Sequence, residues 1–327
     1  MRIKDVEVYH GKKVVPNEYY IEYFKKRDKD IEHLMKDIMG RNKRYMVDSE
    51  DENTLTMSID VTKKVLEKTN LKGTDIDLLI FSSQLPEYVA PPSSTIIHNA
   101  IGGKHNAQCF DLNANCVGMV TAVEHTCKYM QISPKIKNAL IVGCDFISFS
   151  ADPENELSYG NYGDASCAII LERTTEDAGL IDSRYYVNNE ECNNILFPGC
   201  GFSKMFKIKN KKDMFTIWKP FNGSIVIDPA VANMKEILSE QNISKDDVKL
   251  FCLTQFAYKN IELIQKKMDI PMEKCIYIGD EYGYTGTTSP FIALYAALQK
   301  GIIQRGDYIM FWAVGAGSLN AAMLFKY

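Results

Sequence analysis

Nine cysteines and five histidines are the side chains here with the most chemistry to offer, and their spacing excludes most of it. The cysteines, at 109, 116, 127, 144, 167, 192, 200, 252 and 275, are odd in number and include no CxxC pair. Neither a disulfide framework nor a zinc site is indicated, and no metal is expected. Most sit in apolar runs such as NALIVGCDF, ASCAIILE and VKLFCLT, where cysteine acts as a small buried hydrophobe. Cys116 differs. Residues 107–112 read as a strand, Asn113-Ala114-Asn115 as a tight turn, and Val117 onward as a helix with Val120, Val123, Cys127 and Met130 on one face. Cys116 therefore falls at a helix N-terminus, where free backbone N–H groups and the helix dipole favour a thiolate. A thiolate both accepts and releases acyl groups, so a covalent thioester is its natural chemistry. A buried turn cysteine carries the same pattern, and residue types alone leave both readings open.

A base for that sulfur is hard to find. His125 lies nine residues further along the same helix, roughly 13 Å up the axis at a rise of about 1.5 Å per residue. His10, His33, His98 and His105 have no spacing that recommends them, and no histidine follows His125.

The elements that must position Cys116 form an α/β pattern. Residues 76–81, 139–143 and 165–171 read as buried strands, and residues 55–69 and 117–131 as helices. The second half repeats the first in outline. DIDLLIFSSQ, ending at Gln84, is matched by DDVKLFCLTQ, ending at Gln255. In each half a Gly-containing turn then feeds an apolar helix, NANCVGMVTAVEHTCKYM and EYGYTGTTSPFIALYAALQKG, and a strand rich in Ala and Gly closes the half. The repeat predicts a layered fold of two pseudo-twofold halves, residues 1–172 and 173–327, with the Lys-rich stretch 204–212 as an excursion. At 327 residues, 46% hydrophobic and 24% charged, the chain can bury a large core. A net charge of −4 gives no global field for nucleic acid or an acidic membrane. The start, MRIKDVEVYHGKK, lacks a signal-peptide core and no apolar window is long enough to span a membrane, so a cytoplasmic protein is expected.

FDLNANCVGMVTAVE resembles the nucleophile motif of the β-ketoacyl-acyl-carrier-protein synthase III family. YGNYGDASCAIILER resembles that family's Gly-Asp-Gly-Ala strand, YGYTGTTSPFIAL its Gly-Asn-Thr segment, and RGDYIMFWAVGAGSLNAAMLFKY its Gly-rich final strands. These matches run in order from about residue 50 to the C-terminus. The resemblance implies a thiolase-like αβαβα fold, no bound cofactor, and an acyl group taken from coenzyme A or an acyl carrier protein onto Cys116. It also implies a dimer, with itself or with a related synthase, and a place in fatty-acid or polyketide-type biosynthesis.

Departures from the family's pattern bear on the second step. Relatives use a histidine and an asparagine to hold a malonyl thioester for condensation. Gln255 stands at the histidine position, or Phe256 with a one-residue slip, and Tyr284 stands at the asparagine position. Gln255 and Tyr284 both donate hydrogen bonds, but neither titrates near neutral pH. The implied catalytic set is Cys116, Gln255 and Tyr284, with either simple acyl transfer or an altered condensation after loading. The turn Gly315-Ala316-Gly317-Ser318 resembles the family's oxyanion turn, which places that hole at Cys116, Gly315 and Gly317. Ala90 and Pro91, in YVAPP, fall where relatives carry an acyl-pocket gate; an ordinary Pro-rich loop reads the same way. Lys207, Lys209, Lys211 and Lys212 suit docking of an acidic carrier protein, or simply a solvated face. The loop Asp152-Pro153-Glu154 lacks the arginine that relatives present to coenzyme A, which favours a carrier-bound donor. The rival reading is a non-catalytic partner subunit whose site has decayed.

Overall fold

The computed structural model describes residues 1–220 and 223–327. The chain opens with β1 (Arg2–His10), β2 (Lys13–Pro16), α1 (Asn17–Lys25) and β3 (Lys43–Met46). It continues through α2 (Thr54–Thr69), β4 (Leu78–Ser82), α3 (Ser93–Ala100), β5 (Gln108–Leu112), α4 (Gly118–Ile132), β6 (Asn138–Asp145) and β7 (Ala165–Glu172). The remainder runs β8 (Gly179–Val187), β9 (Ile195–Leu196), β10 (Ile217–Trp218), α5 (Ile227–Glu240), β11 (Val248–Leu253), α6 (Tyr258–Met268), α7 (Gly279–Tyr282), α8 (Ser289–Gln299), β12 (Tyr308–Gly315) and β13 (Leu319–Lys326). Element boundaries agree with the sequence reading to within a residue or two. Helix α2 shows why: Asn53 accepts from the Leu55 and Thr56 N–H groups while Thr56 Oγ1 accepts from Asn53 N, a reciprocal cap, and Asn70 ends the helix at φ 54°.

Two sheets organise these elements. One has the order β1-β7-β6-β4-β5 and the other β11-β12-β13-β8. Strand period sorts the core into layers. Leu78 and Ile80 turn inward with Ala139, Ile141, Leu250, Phe311 and Met323 onto a central layer made of α4 and α8. Leu79 and Phe81 face the other way, onto α2. Phe251, Leu253 and Trp312 face outward onto α5 and α6. The result is five layers, α/β/α/β/α, with every strand of the first sheet drawn from residues 2–172 and every strand of the second from 179–326.

The segment that the family resemblance left uncovered has its own small core of Val15, Tyr20, Phe24, Ile31 and Met35. It packs as the β2–β3 ladder with α1 and a single π turn, Leu34–Ile38, and delivers Met39, Gly40 and Arg41 against the second half. Tyr258 N donates to Met39 O, and Tyr277 Oη donates to Met39 O at 2.6 Å.

The approach of α4 to β4 is closest at Gly118, where an added Cβ would stand 2.2 Å from Ser82 Oγ. Gly118→Ala is expected to lower stability by roughly 1–3 kcal/mol, the usual cost of overpacking, read as a shift in the urea unfolding midpoint.

Candidate active site

The β5–α4 turn puts Cys116 one residue ahead of the helix cap, Val117, rather than on the first helical residue, Gly118. The sulfur lies on the wall of a cavity of about 290 Å³ lined from both halves of the chain. Gln84, Asn115 and Tyr162 come from the first half; Phe256, Tyr284 and the turn from Gly315 to Ser318 come from the second. No Asp, Glu, Lys, Arg or His is among the described residues of the lining.

Burial decides the state of the thiol. Cys116 is 7% exposed, and loss of solvation pushes its pKa up to about 12, with the charge of Asp145 adding to the rise. Hydrogen bonds from Tyr284 and Gln84 pull the other way without overcoming it. Desolvation at this position thus opposes the thiolate that the helix terminus favours.

Four rings enclose the space beside it. Trp218 stacks on Phe256 with centroids 5.4 Å apart, Phe256 meets Tyr284 edge-on at 5.4 Å, and Tyr162 closes the circle at 6.4 Å from Tyr284 and 6.0 Å from Trp218. Each such pair adds about 0.5–1.5 kcal/mol beyond area burial. Burial holds the Tyr284 phenol's pKa well above the ordinary value, and the nearby Cys116 group adds to the rise.

Gln255 is not part of this lining. Its Oε1 accepts from Ile278 N and Gly279 N, and its Nε2 donates to the carbonyls of Leu253 and Ile276. Every polar valence of the amide goes to backbone, so the side chain ties β11 to the loop before α7 and has nothing left for a ligand. Phe256, one residue on, faces the cavity in its place. Of the two residues that the resemblance offers for the histidine position, Phe256 lines the cavity and Gln255 does not.

Arg41 locks that loop from behind. It is fully buried, and among the described residues no carboxylate pairs with it. Nη2 donates to the carbonyls of Gln255 and Phe256 at 2.7 and 2.8 Å, Nε to Asn161 Oδ1 at 3.0 Å, and Nη1 to Tyr277 Oη at 2.6 Å. Asn161 O in turn accepts from Tyr284 N. One guanidinium thus connects the backbones that carry Phe256, Tyr162 and Tyr284. Burial lowers its pKa from the usual arginine range, with the Tyr277, Asp280 and Tyr284 groups acting in the opposite sense. The sequence reading missed Arg41 because an arginine among other charged residues looks like surface.

Two models of one family match the chain: 3-oxoacyl-(acyl-carrier-protein) synthase III over residues 110–189, and its C-terminal part over residues 238–327. A β-ketoacyl-(acyl-carrier-protein) synthase III of Clostridium perfringens is 29% identical over 323 residues, covering 98% of this chain and 97% of that protein. The chain belongs to this synthase III family. Its thiolase-like fold is shared with the solved 3-oxoacyl-(acyl-carrier-protein) synthase III of Aquifex aeolicus, at TM-score 0.86 and 24% identity, covering 100% of this chain and 99% of that one. The priming β-ketosynthase of the R1128 polyketide pathway gives a TM-score of 0.86 at 18% identity, covering 99% and 95%.

The remaining residues singled out for a synthase III divide in two. Gly315 and Gly317 lie beside Cys116 on the cavity wall, and a Cβ on Gly315 would stand 3.3 Å from Cys116 N. Ala90 and Pro91 are exposed and outside this chain's cavity lining. Their loop runs instead beside the free edge of β5, because Asp111 of that strand accepts from Ser93 N and Ser94 N. The lysines ride on an excursion between β8 and α5 whose base, Asn194, Ile195, Trp218 and Pro220, lines the cavity. Lys207, Lys209 and Lys211 are exposed; Lys212 is engaged by Glu154 at 2.6 Å. No helix among the described residues is long and apolar enough to cross a membrane.

Two outcomes follow from this geometry. Arg41→Met strands several buried acceptors and is expected to cost about 3 kcal/mol, read by urea titration. Alkylation of Cys116 by iodoacetamide, followed by peptide mapping, is expected to keep climbing with pH rather than level off near the ordinary cysteine pKa of about 8.5.

Proposed function

We propose that this synthase III-family chain is an acyltransferase that accepts an acyl group as a thioester on Cys116 and hands it to a thiol or amine acceptor. The observation that carries the reading is a buried sulfur beside a glycine turn, on the wall of a cavity with no charged residue among its described lining residues. An acyl chain in that space meets rings and aliphatic side chains. The Cys116 and turn N–H groups are suited to hold the thioester oxygen, as an oxyanion hole does.

Loading needs no resident base in its overall balance. The Cys116 sulfur forms a bond to the acyl carbon, the donor's carbon–sulfur bond breaks, and the Cys116 proton leaves with the departing thiol. Decarboxylative condensation asks for more, namely donors aimed at the enolate oxygen of a malonyl thioester. With Phe256 in the lining and Gln255 saturated, Tyr284 is the remaining donor of the set read from the sequence. Simple transfer therefore suits this site better than condensation. Coenzyme A or a carrier protein can bring the acyl group, and the carrier is favoured because the exposed lysines lie on the excursion whose base lines the cavity. Dimer formation through the free edge of β5, with Phe110 exposed on it, would bring the Ala90–Pro91 loop toward the partner's cavity.

Intact-mass analysis after incubation with acyl-coenzyme A and with acyl carrier protein tests loading. A gain of one acyl group that disappears in Cys116→Ala is expected; no adduct with either donor would favour the non-catalytic partner subunit. Replacing Lys207, Lys209 and Lys211 together by Glu should slow loading from the carrier protein several-fold in a salt-sensitive way and leave loading from coenzyme A unchanged.

A further inference from the structure

Gln84 is the counterpart of Gln255 in the internal repeat, and its amide stands where the other does not. Nε2 lies 3.6 Å from Cys116 Sγ on the cavity wall. Its orientation is dictated by neighbours of fixed polarity. Ala316 N donates to Asn115 Oδ1 at 2.8 Å, Asn115 Nδ2 donates to Gln84 Oε1 at 2.6 Å, and Gln84 Nε2 donates to Asp145 Oδ2 at 3.0 Å. A main-chain N–H can only donate, so this chain of amides runs in one direction and leaves the second Nε2 proton for the sulfur. Room for the arrangement comes from Gly286, at φ +61°, where a Cβ would stand 2.2 Å from Asp145 Oδ2 and 2.9 Å from Gln84 Nε2.

We propose that Gln84 is a catalytic hydrogen-bond donor of this site: its Nε2 stabilises negative charge on the Cys116 sulfur as the thioester forms and breaks, with Asp145 and Asn115 as the residues that position it. The need is clear from the surroundings. The thiol sits in a low-dielectric pocket with no cation among the described residues of the lining, so a donor held in place there is worth more than one in water. Asp145 remains an effective anchor at neutral pH because burial raises its pKa only to about 6 against four donors that hold the ionised form.

The role rests on the acyl-transfer reading of Cys116 but is read without an acyl donor. The measurement is the second-order rate of Cys116 alkylation by iodoacetamide in the whole protein as a function of pH, for native, Gln84→Met and Gln84→Glu. Loss of one hydrogen bond to a charged sulfur should slow alkylation by about tenfold in Gln84→Met at mildly alkaline pH and move the rise to higher pH. Gln84→Glu should be slower as well, because the Nε2 donor is lost and the new carboxyl, placed where Nε2 stands 3.0 Å from Asp145, shares a proton with that carboxylate rather than offering one to the sulfur. A residue that only fills space would change the melting temperature and leave the pH profile where it was. Folded variants that alkylate as fast as native, within twofold, or faster overturn the proposal. If Gln84→Met does not fold, the near-isosteric Gln84→Glu decides by the same criterion. Native protein that shows this donor effect yet takes up no acyl group would sink the acyl-transfer reading and leave the Gln84–sulfur interaction standing.

Discussion

A buried carboxylate at the seam between the two halves holds the site together. Asp145 Oδ1 accepts from Ser83 Oγ and Gln84 N of the first half, and Oδ2 accepts from Gln84 Nε2 and from Thr287 N of the second. Thr287 Oγ1 then accepts from Met119 N at the start of α4. An ionised carboxylate taken out of water is costly unless its lone pairs are filled. These four donors fill them only when the α4 turn, the end of β4 and the loop before α8 are in register. The alignment of the Cys116 turn with the opposing half is thus set by the solvation of one side chain.

Around that anchor the site is built from low dielectric. Rings and aliphatic groups exclude water, which makes a thiolate expensive and every surviving hydrogen bond stronger. The chemistry that suits such a place moves a proton and an acyl group between sulfurs and leaves no net charge behind. Among the described residues, charge stands in a second layer: Asp145 behind Gln84, and Arg41 behind the loop that carries Phe256. Both hold position through backbone and amide groups.

The N-terminal excursion belongs to this scheme although it lies outside both sheets except through β1. Its β2–β3 ladder and π turn bring Ile38 and Met39 to the cavity and Arg41 to the back of the 255–256 turn. The N-terminal segment thus supplies part of the cavity wall.

The layered fold and the place of Cys116 at a strand-to-helix turn could be read in advance, because strand period, helix period and turn chemistry are local and recur at matched places in the repeat. The environment of each polar tip could not. Gln84 and Gln255 end equivalent strands, yet one amide meets a sulfur and the other is saturated by the backbone of Leu253, Ile276, Ile278 and Gly279. The difference arises from loops more than twenty residues away in sequence. The surroundings of the thiol were likewise beyond local reading: a helix terminus favours ionisation, and only packing from both halves supplies the desolvation that opposes it. Periodic patterns record which face a side chain takes; the partners waiting on that face come from distant segments, and these are what decide its chemistry.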